Sequence, residues 1–124
     1  MKDNKINPKD KIGLRKTQLG LMPGAGKIYG AAAMENGSAK YGAYNWREKH
    51  VKMTIYLDAI ERHLLALRDG ENIATDSGVP HLGHIIACAS ILADAVEGGF
   101  LVDDRPLLGP SAAILSKFER HAGK

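Results

Sequence analysis

Apolar positions recur with a helical period in two stretches of this chain. Over residues 52–69 (KMTIYLDAIERHLLALRD), Met53, Tyr56, Leu57, Ile60, Leu64 and Leu67 fall three or four apart, and Gly70 follows as a stop signal. Over residues 80–97 (PHLGHIIACASILADAVE) the spacing returns, with Pro80 suited to a first helical turn and Gly98-Gly99 closing the run. A polar turn, ENIATDSG, joins the two, so the pattern predicts an antiparallel helix hairpin. Residues 24–36 (GAGKIYGAAAMEN) predict a further helix, whose small side chains let another helix or a ligand approach its backbone. A short amphipathic helix is expected at 110–121. Sustained period-two alternation is absent. The fold expected is therefore all-α, a small helical bundle around the hairpin. Residues 1–22 are expected to form an extended basic arm and residues 23–124 a single helical domain. Pro8, Gly13, Gly20 and Pro23 punctuate the arm, and Leu14, Leu19, Leu21 and Met22 are expected to pack on the domain and tie it down.

Composition adds limits. A chain of 124 residues builds one modest core. No apolar run approaches the roughly 20 residues that span a bilayer. No apolar segment follows MKDNKINPKDK, as it would in a secretory signal. The expected location is cytoplasmic, with no membrane partner. One cysteine, Cys88, rules out an intramolecular disulfide and a cysteine-only zinc site. The net charge of +3 is concentrated at the start. Lys2, Lys5, Lys9, Lys11, Arg15 and Lys16 stand there against Asp3 and Asp10, while the remainder is nearly neutral. Such an arm can meet phosphates or act as a solvated tail. The near-neutral body offers no continuous basic stripe, which ranks nucleic-acid binding last.

Candidate chemistry gathers in two places. In KYGAYNWR (40–47), Tyr41, Tyr44 and Trp46 offer faces on which a base can stack, Arg47 and Lys40 offer charge for phosphate, and Asn45 can read a base or sugar edge. The alternative stays open that Trp46 and Tyr41 are core anchors and Arg47 pairs with a carboxylate. The second gathering is histidine. His63 shares the apolar face of its helix, and His81, His84 and Cys88 share one stripe of the next, so antiparallel packing brings His63 towards His84 or Cys88. The same groups could ligate zinc, although a hydrogen-bonded bridge between helices or a ligand contact is the commoner use of inward histidines. Asp58 and Arg62, four apart, read as a surface pair. PGAGK at 23–27 lacks the first glycine and the Ser or Thr of a phosphate loop.

Seven segments together resemble one family: NPKDKIG (7–13), KTQLGLMP (16–23), AKYGAYNWR (39–47), YLDAIERHLLAL (56–67), DGE (69–71), DSGVPHLGH (76–84) and DDRP (103–106). Over roughly residues 7–108 they resemble the dATP/dGTP diphosphohydrolase N-terminal domain, common in phage proteins. The resemblance implies cleavage of a purine deoxynucleoside triphosphate to monophosphate and pyrophosphate. It implies ligand contacts from Lys16, Lys40, Tyr41, Asn45, Trp46, Arg47, Asp58, Arg62, His63, His81 and His84. In an enzyme, Asp58 and a second carboxylate would hold Mg2+ or Mn2+, and His63 or His84 would move protons. The Glu pairs that usually hold such ions on facing helices are absent. That favours an alternative in which a phage protein binds and sequesters a nucleotide immune signal, such as a cyclic dinucleotide or a cyclic ADP-ribose. Homo-oligomerisation is expected from the Ala/Gly-rich helix and the small core.

Overall fold

The computed structural model describes residues 5–120. Its helices are α1 (Lys9–Gly13), α2 (Gly24–Tyr41), α3 (Asn45–Lys49), α4 (Met53–Arg68), α5 (His81–Gly98) and α6 (Ser111–Lys117). Two short strands, β1 (Val51–Lys52) and β2 (Leu101–Val102), pair in parallel, Val51 opposite Leu101 and Lys52 opposite Val102. The described residues are all-α apart from this ladder and one isolated antiparallel bridge, Ile73 to Pro80, and the two-residue strands are too short to leave an alternating pattern.

The ladder fixes the geometry of the hairpin. β1 runs directly into α4 and β2 follows α5, so the start of α4 lies beside the end of α5. The two helices are antiparallel, as their spacing predicts. The connection at 69–80 is folded on itself. His81 N–H donates to Asn72 O, Ala74 N–H to Val79 O, and Gly78 N–H to Ala74 O, each within 3 Å, and Ala74 is buried.

Helix α2 continues five residues past the predicted end at 36. Gly37 and Ser38 weaken a helix without breaking it, and the true stop is Gly42, at φ 90°. Its N–H caps the helix on Ser38 O at 2.8 Å. Lys40 and Tyr41 therefore project from a last helical turn instead of a loop.

α2 packs on α5 through glycines. A Cβ on Gly83 would lie 2.5 Å from the carbonyl oxygen of Tyr29, and one on Gly30 2.8 Å from Ile86 Cγ2. Trp46, Val51, Leu92 and Ala95 form the buried cluster, with Met34, Leu57, Ile60 and Phe100 packed around it. Each such aliphatic or aromatic side chain contributes about 1.5–3 kcal/mol when fully buried.

The arm departs from expectation twice. It is not extended: α1 and a 3-10 turn at Leu19–Leu21 occupy it. Nor do its apolar residues pack on the domain. Leu14, Leu19, Leu21 and Met22 are all 71–80% exposed, and neither helical piece holds a buried residue. Its turn and capping backbone bonds, from Asp10 N–H to Asn7 O through to Met22 N–H to Leu19 O, stay local. Short local helices satisfy the backbone without reaching the body. None of the described helices is long and apolar enough to cross a membrane.

Candidate functional site

An open cavity of about 1240 Å3 lies between the end of α2, the 42–46 turn, α4 and the start of α5. Its size exceeds the roughly 300–1,000 Å3 common for small-molecule sites. Of the eleven residues expected to contact ligand, eight line it: Lys40, Tyr41, Asn45, Trp46, Arg62, His63, His81 and His84. Lys16, Arg47 and Asp58 do not. Lys16 lies in the exposed arm. Asp58 is exposed on α4, and it makes no ion pair with Arg62: the ion pairs among the described residues are Arg47–Asp94, His81–Glu71 and Arg105–Asp103.

Arg47 is turned away by a carboxylate on α5. Its guanidinium grips Asp94 with two bonds of 2.9 and 2.8 Å, and Trp46 Nε1–H donates to the same carboxylate at 2.7 Å. These bonds, Arg47 first, hold the Asp94 carboxyl at about 2, well below the usual carboxylate range. Trp46 is 6% exposed, so it forms cavity wall and core together. Tyr44 packs on it with ring centres 5.2 Å apart, and the Arg47 guanidinium stands 4.7 Å from the Tyr44 ring centre. Tyr44 reaches this position in the left-handed region, at φ 57°. A bulky residue there costs roughly 1–2 kcal/mol of backbone energy, offset by its packing. Tyr41 and Tyr44 remain largely exposed and are the faces open to a base.

The opposite wall is built from imidazoles. His81 Nε2 lies 2.7 Å from Glu71 Oε1, and His81 Nδ1 lies 2.7 Å from His63 Nδ1. An ionised carboxylate only accepts, so Nε2 of His81 carries the proton and donates. In neutral His81 the other nitrogen is then an acceptor, and His63 Nδ1–H must donate to it. This leaves His63 Nε2 with a free lone pair, on a ring that lines the cavity. Glu71 thus sets the tautomer of His63 through His81.

His84 stacks on His63 with ring centres 4.6 Å apart and planes 4° from parallel. Its Nε2 meets Ser77 Oγ at 2.8 Å, and Ser77 Oγ accepts from Val79 N–H at 3.2 Å. Burial chiefly, then the neighbouring imidazoles, pushes the His63 pKa below its ordinary value. Burial also lowers His84, where Asp76 opposes and His81 and Lys40 assist. Both rings are therefore neutral near pH 7. The Cys88 thiol, also on the cavity wall, is pushed up by burial and stays protonated. Among the described residues no group of three or more His, Cys, Asp or Glu side chains is arranged to hold a metal ion. Four of the six nitrogens of His63, His81 and His84 contact Glu71, Ser77 or one another.

Residues 6–105 match the protein family described as dATP/dGTP diphosphohydrolase, N-terminal. The chain belongs to this family. The match spans most of its length and every residue of the cavity lining. No curated protein and no solved structure matches the chain.

Three residues of this dATP/dGTP diphosphohydrolase N-terminal domain that matter to the site were not singled out from the sequence: Glu71, Ser77 and Asp94. Glu71 and Ser77 stand in the polar connection, where nothing in residue type separates a loop carboxylate from a solvated one. Their signal was position, since a connection that returns to the start of α5 must pass His81 and His84. Asp94 falls on α5 ten residues beyond His84, and only the seating of α3 brings Trp46 and Arg47 onto it.

Proposed function

We propose that this cavity binds a purine deoxynucleoside triphosphate and hydrolyses it to the monophosphate and pyrophosphate. Family membership supports the substrate class, and the His63–His81–Glu71 chain of contacts, 2.7 Å at each link, is the observation that carries the chemistry. The base stacks on Tyr41 and Tyr44, with Asn45 at its edge, each stacked base being worth roughly 1–3 kcal/mol. Lys40 and Arg62 receive the phosphates. His63 Nε2 takes a proton from water as its oxygen attacks the α-phosphorus. The bond from that phosphorus to the α,β-bridging oxygen breaks, and pyrophosphate leaves with the electron pair. The proton gained by His63 is balanced by transfer of its Nδ1 proton to His81, whose positive charge then sits against Glu71. His84 supplies a second imidazole on the same wall. Asp58 lies outside the cavity, and among the described residues no group of three or more candidate ligands surrounds it. Mg2+ or Mn2+ would instead enter bound to the triphosphate, as Mg2+ commonly does.

A binder that sequesters a nucleotide immune signal is the second reading, favoured by the cavity's size and by the missing carboxylate cluster. One experiment separates the two. The protein is incubated with dATP, dGTP, cyclic dinucleotides and cyclic ADP-ribose isomers, with Mg2+ or Mn2+, and the products are chromatographed before and after heat denaturation. Formation of dAMP or dGMP, lost in His63→Ala, supports hydrolysis. Depletion of one nucleotide with intact recovery after heating supports sequestration and removes hydrolysis.

A further inference from the structure

The described chain leaves far more surface open than its mass warrants. Its accessible surface is 10309 Å2, while a compact monomer of 13.4 kDa exposes about 6500 Å2. The excess, roughly 3800 Å2, is several times the ~800 Å2 that each partner contributes to an ordinary stable interface. Much of it is apolar; besides the C-terminal segment, where Leu107, Leu108, Leu115 and Phe118 are exposed, it lies on two separate surfaces. One is the arm, where Ile12, Leu14, Leu19, Leu21 and Met22 are exposed. The other is α4, a 16-residue helix that contains no buried residue at all. Ile55, Ala59, Arg62 and Leu65 lie along one stripe of α4, with Asp58 beside them, and Ile55 and Leu65 are about 60% exposed. A shallow groove of about 310 Å3 runs along this stripe, walled by Ile55, Tyr56, Ala59 and Cys88.

We propose that the arm of one copy lies in the α4 groove of a second copy, and the reverse, so that the working molecule is an arm-exchanged homodimer. The occupant is a second copy because the apolar donor and the apolar acceptor are both on this chain. A two-fold pairing covers both surfaces with one contact made twice, whereas a single foreign partner would have to match each separately. Charge agrees. Lys9, Lys11, Arg15 and Lys16 give the arm its positive character, and Asp58 and Glu61, beside the receiving stripe, outnumber its one cation, Arg62. The groove shares Tyr41, Asn45 and Arg62 with the nucleotide cavity, so the seated arm would form one rim of that cavity. The pairing itself is independent of any reading of the chemistry.

Sedimentation equilibrium of the full chain at micromolar concentration should give twice the chain mass. Carbodiimide coupling of a mixture of light and isotopically heavy copies should then join Lys11 or Lys16 of one isotope to Asp58 or Glu61 of the other. The double variant Leu19→Ser, Leu21→Ser changes only exposed side chains and should sediment as a monomer with unchanged helical circular dichroism. A monomeric wild type overturns the proposal. So does an oligomer whose light–heavy couplings omit the arm, or a double variant that stays assembled.

Discussion

At the scale of single residues, the proposed hydrolysis rests on which nitrogen of an imidazole holds a proton. Glu71→Gln keeps the shape of the side chain but replaces an acceptor-only carboxylate with an amide that can also donate to His81 Nε2. Steady-state kinetics should show kcat reduced about 10- to 100-fold with KM nearly unchanged, a smaller loss than the roughly 100- to 10,000-fold that a general base itself supplies. An equal rise in KM would mean that Glu71 serves binding instead. The depressed pKa of His63 has its own signature. The base is available while neutral, so kcat/KM should be flat above pH 7 and fall on the acid side with an apparent pKa below 6.5. Tyr41→Ala should weaken nucleotide binding by about 1–3 kcal/mol in calorimetry. The histidines were legible in the sequence because helical spacing placed His63, His81 and His84 on inward faces. Their wiring was not, because Glu71 and Ser77 come from a loop whose path no periodicity records. Arg47 shows the opposite failure. Its residue type suggested phosphate, and Asp94 had the prior claim.

At the scale of elements, α2 and α5 approach most closely at Gly83, which has no side chain. Gly83→Ala sets a methyl against the carbonyl oxygen of Tyr29, a backbone atom that cannot turn aside. It should destabilise the fold by at least the 1–3 kcal/mol typical of overpacking, read as a lower urea midpoint at unchanged m-value. Gly30→Ala meets the side chain of Ile86, which can shift, and should cost less. His50, between α3 and β1, has φ 58° and ψ 158°, a region that favours glycine. His50→Gly should therefore be neutral or stabilising, despite the loss of the edge contact with Phe100. Both long helices and their antiparallel sense could be read from apolar spacing and from the stop at Gly98-Gly99. The end of α2 was misread because Gly37 resembles a terminator, whereas Gly42 is the glycine with positive φ.

At the scale of the whole molecule, the stacked imidazoles tie folding to pH. Burial lowers both pKa values in the folded state, so around and below pH 6.5 the unfolded chain binds more protons than the folded one. Their contribution is fully present above the unfolded value and is lost as the pH falls. Tm should drop between pH 7.5 and 5.5, and His63→Gln with His84→Gln should flatten that dependence. The single tryptophan offers a different consequence. Trp46 is buried, its indole N–H is tied to a carboxylate, and one edge borders the cavity. Light absorbed by Tyr44 or Tyr41 can pass to this one acceptor, so emission from the whole chain converges on a lamp built into the wall of the site. Filling the cavity changes what surrounds that lamp, and the protein reports its own occupancy without a label.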